Sequence, residues 1–219
     1  MSRVYLEELD RQRDRLNTGG IQCVEAFFQE DPGVNNMLRW MEQRNLRELQ
    51  IAQAMSAAFL KMGPDIPRDI FVAIGKFIHD EVRHFRDFTR VIEKLRAEYG
   101  EIGGLVAQLP EEKNWHAVTL ENLKKHFLAV FSGSFVGESV ALAVNDVLIE
   151  GCRKYGYNRV ADLYTGIGRD EVFHVNLNRL VIEKYATTRG TQEIVIEVAT
   201  KKAERKIPAW ESLYRVNPA

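Results

Sequence analysis

Cysteine is nearly absent from this chain. The two present, Cys23 and Cys152, lie far apart and outside any C-x-x-C pair. That argues against a disulfide framework and a thiolate zinc site, and it fits a reducing cytoplasm. An excess of either charge is also missing. The 31 acidic and 30 basic side chains leave a net charge of −1, which speaks against a nucleic-acid binder or a polybasic membrane anchor. The densest basic cluster, Lys201, Lys202, Arg205 and Lys206, has helical spacing and reads as a solvated face. No window reads as the ~20-residue apolar run of a membrane span. The N-terminal MSRVYLEELDRQRDR is amphipathic and lacks the apolar centre of a signal peptide. The expectation is a cytoplasmic protein acting without nucleic acid or membrane.

Helix breakers are few, with 6 prolines and 15 glycines, and long stretches between them carry helical periodicity. Helices are predicted over roughly 4–29, 35–62, 67–99, 119–155, 158–187 and 191–206, the last ending before Pro208. The segment 100–117, with Gly103, Gly104 and Pro110, reads as a crossover loop. Strand signals are weak. Four long helices joined short, long, short predict an all-α, ferritin-like four-helix bundle with extra N- and C-terminal helices. One domain is expected over 1–219, its core bundle at about 35–188.

What is present is a repeat. Asp80-Glu81-Val82-Arg83-His84 and Asp170-Glu171-Val172-Phe173-His174 share a pattern at an offset of 90 residues, and so do Val91-Ile92-Glu93-Lys94 and Val181-Ile182-Glu183-Lys184. Glu and His three apart share a helix face and can reach one metal ion. Each half should add one Glu from its preceding helix. Glu48 and Glu138 fit, being 90 residues apart and each 33 residues before its partner. Glu48 falls on a stripe with Met41, Ala52 and Met55, and Glu138 on one with Phe131, Phe135 and Leu142. Glu42 ranks second.

Carboxylates on apolar stripes are costly unless paired, protonated or bound to a cation. Four of them converging would be balanced by two divalent ions. The alternatives are buried ion pairs to Arg83 or Arg169, or glutamates that are really on the surface. Two imidazoles and four carboxylates suit iron or manganese, so two Fe ions are expected, with a manganese–iron pair compatible. Asp80 and Asp170 each precede their motif His by one turn and can reach its outer ring nitrogen.

These residues resemble the ferritin-like di-iron carboxylate proteins over roughly 35–188. The twice-repeated E-x(31)-D-E-x-x-H spacing is similar to that of arylamine N-oxygenases. Asp80-Glu81-Val82-Arg83-His84 also resembles the D-E-x-R-H motif of multicomponent monooxygenase hydroxylases. The chain departs from the first pattern at Ile167, where a further histidine stands, and from the second at Leu142 and Phe173. The resemblance implies terminal ligation by Glu48 and Glu138, bridging or switching by Glu81 and Glu171, and one metal capped by each of His84 and His174. It further implies O2 activation through a peroxo-level species, a small organic substrate, an external electron donor such as a reductase or ferredoxin, and a homodimer. N-oxygenation or hydroxylation is the expected outcome. The alternative is a ferritin- or rubrerythrin-like protein handling iron or peroxide. A radical generator using Tyr164 is a third class.

Phe77, Phe85, Phe88, Phe131, Phe135 and Phe173 are expected to wall a dry pocket, and Ser132, Gly133, Ser134 and Gly137 to leave room in it. His79, His116 and His126 have no repeat partners and read as surface or structural residues.

Overall fold

The duplication read in the sequence reappears at one helix start of each half. The structure, a computed structural model, describes residues 4–100 and 110–214. Along it run α1 (Val4–Phe27), α2 (Gly33–Met62), α3 (Arg68–Tyr99), α4 (Pro110–Lys125), α5 (Leu128–Lys154), α6 (Asn158–Tyr185) and α7 (Arg189–Tyr214), with no strand among the described residues. The second helix of each half begins 90 residues after its counterpart, at Arg68 and Asn158. Helices α2 and α3 form one hairpin and α5 and α6 the other. The hairpins join through α3 against α6 and α2 against α5, while α1 and α7 pack on each other and on α5.

The turns that set this geometry are tied together. Gly33 starts α2 at a φ of +70° and its N–H donates to Asp31 Oδ1 at 2.9 Å, a conformation glycine adopts without strain. The Tyr157 hydroxyl, at the start of α6, donates to the same carboxylate oxygen at 3.0 Å. Phe28 seats its ring against Gly151 so closely that a Cβ there would lie 2.4 Å from it.

Three boundaries differ from the sequence reading. The helix expected over 119–155 is broken at His126 and Phe127. Lys61 Nζ donates to the carbonyls of Leu123 and Lys124 and so caps the C-terminus of α4. His126 Nδ1 accepts the Leu128 N–H at the start of α5. Residues 101–109 of the expected crossover lie outside the described residues, and 110–117 are helical. Helix α7 runs on through Pro208 to Tyr214. A proline removes one hydrogen bond and crowds the turn before it, which kinks a helix without necessarily ending it.

Helix α5 corrects another expectation, since it is long and apolar enough to cross a membrane. It carries Glu138 at mid-length, and 67% of its apolar window is buried within the protein. Packed against α1, α4, α6 and α7, it is apolar over its buried length because it is the core helix, while Asp146, Glu150, Arg153 and Lys154 face outward.

Candidate metal centre

Each of the four bundle helices sends its acidic or histidine positions to the same depth. Glu48 comes from α2, Glu81 and His84 from α3, Glu138 from α5, and Glu171 and His174 from α6. All six are at most 2% exposed. Ligand atoms of Glu81, Glu138, Glu171 and His174 lie within 4.8 Å of one another, and so do those of Glu48, His84 and Glu171. Glu171 belongs to both groups and stands between them. Glu42 is elsewhere, paired with Arg96.

The imidazoles face inward through Nδ1. His174 Nδ1 is 3.0 Å from Glu81 and 3.3 Å from Glu171, and His84 Nδ1 is 3.4 Å from Glu48. Phe77 stacks on His174 with ring centroids 3.9 Å apart and fixes its plane. Outward, the aspartates cross over. His84 Nε2 donates to Asp170 Oδ2 at 3.3 Å, and Asp80 Oδ2 lies 3.5 Å from His174 Nε2. Each aspartate therefore faces the histidine of the other half, Asp170 through a hydrogen bond and Asp80 through a charge contact alone, not its own as the one-turn spacing suggested. Spacing within one helix cannot reveal this, because it depends on how α3 packs on α6. Both aspartates also face α3 cations: Arg83 pairs with Asp170, and Lys76 pairs with Asp80. Phe173, which stands where the second motif would have Arg, carries Lys76 Nζ at 4.4 Å above its ring.

The halves differ in charge at one repeat position. Arg44 sits one turn before Glu48 and reaches it at 3.1 Å. The matching residue before Glu138 is Ser134, whose hydroxyl donates to Glu138 Oε1 at 3.1 Å and accepts from Asn178 at 3.0 Å. The protonation equilibria follow. Burial opposes ionisation of Glu48, but Arg44 and His84 outweigh it and hold its pKa near 2. Glu138 has no arginine, and burial followed by the Glu171 charge pushes it up to about 7. Burial, then the charges of Glu48, Glu138 and Glu171, drives Glu81 well above the usual carboxylate range.

Such a cluster is not self-sufficient. Both Glu81 oxygens, Glu171 Oε1 and His84 Nδ1 are buried without a hydrogen bond. Unsatisfied buried acceptors each cost roughly 1–3 kcal/mol, more when charged. A pair of divalent cations satisfies these atoms and the excess negative charge together. The donor set therefore fits metal.

Two cavities adjoin the cluster, and the phenylalanines expected to wall a pocket line neither. Phe77, Phe88, Phe131 and Phe135 are instead fully packed core. The first cavity, about 30 Å³, touches Glu171 and is walled by Trp40, Val140, Val144, Leu148 and Ile167, together with Arg44, Arg47 and Asn145. Tyr164 also lines it and accepts a hydrogen bond from Trp40 Nε1 at 3.0 Å. The second, about 60 Å³, includes Gly133 and Ser134 from the small-residue stretch, together with His116. Gly137 leaves no free room, because Lys202 fills its notch and donates to the Gly133 carbonyl. This corrects the reading of the C-terminal basic cluster as wholly solvated. Lys201 and Arg205 are exposed, whereas Lys202 and Lys206, one turn apart, point inward.

No family model and no curated protein matches the chain. Among solved structures, it is similar to a domain of unknown function with a heme oxygenase-like fold from Shewanella denitrificans OS217. The TM-score is 0.74 at 12% identity, covering 98% of this chain and 93% of that one. The fold is thus heme oxygenase-like and all-helical, compatible with a ferritin-like bundle, and it encloses a buried carboxylate–histidine cluster able to hold metal.

Proposed function

We propose that the chain is a non-heme di-iron oxidoreductase that uses O2 to oxidise a small organic substrate by N-oxygenation or hydroxylation, with electrons from an external donor. The observation that carries this reading is a fully buried cluster of four carboxylates and two imidazoles, with Glu171 shared between two groups of ligands. Bound iron would supply redox and Lewis-acid chemistry toward O2. Glu48 and His84 would hold one ion, Glu138 and His174 the other, with Glu171 between them and Glu81 on the Glu138 side. Asp170 and Asp80 orient the imidazoles from outside. Arg44 keeps Glu48 ionised, and the packed Phe77 and Phe88 exclude water.

The mostly apolar wall against Glu171 favours an organic substrate over iron storage, since oxidising Fe(II) alone needs no apolar surface beside the ligands. The test is anaerobic loading with Fe(II), then O2, followed by visible spectroscopy with and without amines and organic acids. A coloured species that decays faster with one substrate supports the proposal. Direct conversion to a ferric mineral refutes it in favour of iron handling.

The crossed aspartates give a site-specific expectation. Asp80→Asn should weaken the ion beside His174 by about 10–100-fold and spare the one beside His84, while Asp170→Asn should do the reverse. Stepwise Co(II) titration, with visible bands reporting each site, separates the two.

A further inference from the structure

Ile167 divides two spaces. It is 3% exposed, and it is the one described residue lining both the small cavity beside Glu171 and an open groove of about 420 Å³ between α3 and α6. Charges of both signs line the groove, Arg90 and Asp87 among them, with Val91, Leu163 and Gly166 alongside. It backs onto the outer side of the cluster, because Arg83 lines it and pairs with Asp170. At Ile167 the wall between this groove and the cavity of the metal ligands is one side chain thick.

That side chain stands between two glycines in mid-helix. A Cβ on Gly168 would meet Asn145 at 2.5 Å, whereas one on Gly166 would meet nothing within 4 Å. Packing therefore accounts for Gly168 but not for Gly166, whose missing side chain leaves the groove open up to Ile167. Glycine weakens a helix interior, so the turn carrying Ile167 yields more readily than the rest of α6, which has no other glycine. The inner cavity, about 30 Å³, holds roughly two water-sized molecules, and O2 fits it as it stands. An ion leaving the groove would lose its hydration against Ile167, which is costly. O2 has little hydration to lose. We infer that the groove between α3 and α6 is the entrance to the cluster and that Ile167 is its gate, admitting O2 and holding charged solutes outside. Its use in a reaction rests on the proposed oxidising centre, whereas the route itself does not.

Trp40 lines the inner cavity at 5% exposure, and quenching of its fluorescence reports arrival there. The full chain carrying Trp115→Phe and Trp210→Phe keeps Trp40 as its one tryptophan, and Zn(II) loads it with an ion that has no redox chemistry. O2 should quench Trp40 and iodide should not. Ile167→Ala should raise the O2 quenching rate constant about fivefold, whereas Leu148→Ala should leave it within about twofold. The two substitutions remove the same volume, but Leu148 lines the inner cavity alone. Gly166→Phe fills the groove from outside and should lower the constant by about half or more. It needs no room in the core, so it decides even where Ile167→Ala fails to fold. Equal responses to Ile167→Ala and Leu148→Ala, quenching unchanged by Gly166→Phe, or iodide quenching as readily as O2 would each overturn the inference. Iron uptake with ungated quenching sinks the gate alone. Gated quenching in a chain that takes up no iron on Fe(II) loading sinks the di-iron reading alone.

Discussion

Replacing Glu171 by alanine is expected to remove both metal ions, whereas Glu48→Ala or Glu138→Ala should remove mainly one. The asymmetry follows from geometry, because Glu171 contributes an oxygen to both ligand groups and each of the others to one. Without it, the Glu48–His84 group loses a third of its side chains, and the other group loses the carboxylate beside His174. Metal analysis after anaerobic Fe(II) loading should give about two ions per chain for the parent protein, near zero for Glu171→Ala and about one for the single-site variants. Two ions retained in Glu171→Ala would refute the shared-ligand arrangement. The variant should fold, since removing one of four mutually repelling carboxylates relieves the metal-free core.

The metal-free protein should become less stable as pH rises from about 5.5 to 7.5, and Glu81→Gln should flatten that decline. Glu81 and Glu138 titrate higher in the folded state than in the unfolded chain, Glu138 at about 7. Between the unfolded and folded values the native state holds more protons, so unfolding free energy falls with rising pH. His84 and His174 act in the same direction. Burial opposes their protonation, but Glu48 and Glu171 respectively outweigh it and raise both, so their contribution is present at low pH and lost as pH rises. Glu48 has a depressed pKa, and its contribution changes only below the usual carboxylate range. Lys202 and Lys206 have the opposite sign, which is why the comparison is made between parent and variant.

At pH 7.5, Glu81→Gln should melt roughly 5 °C higher than the metal-free parent. Neutralising a buried ionic cluster recovers about 1–4 kcal/mol, and each kcal/mol moves Tm by about 2–4 °C at this size. Metal loading should invert the parent profile, because binding requires deprotonated ligands. Differential scanning calorimetry across the pH range measures both, and a variant that melts lower than the metal-free parent at pH 7.5 would contradict the account.

The sequence made legible whatever has a period. The 90-residue offset distinguished Glu48 from Glu42, and the structure brings Glu48 to His84 and leaves Glu42 on Arg96. What it hid depends on relations between helices. Lys202 and Lys206 share a helical register with exposed Lys201 and Arg205, and only the docking of α7 on α1 and α5 separates inward from outward. The role of Arg44 was missed although a signal existed: it lies one turn before a glutamate on an apolar stripe, where a cation is the simplest way to keep that glutamate charged. The phenylalanines expected to wall a pocket fill the core instead, whereas Gly133 and Ser134 of the small-residue stretch do line the second cavity and Trp40 and Tyr164 line the first.

The crossed pairing of Asp80 with His174 and Asp170 with His84 makes each half dependent on the other. In neither half does an aspartate reach the histidine of its own helix, so half the chain, standing alone, would leave its imidazole without an outer acceptor. Two copies of a half-length chain, arranged face to face, would supply every such contact twice. The present protein has the contacts of a symmetric pair within one chain, and its two halves differ in charge, one carrying Arg44 and Arg47 where the other carries Ser134 and Gly137.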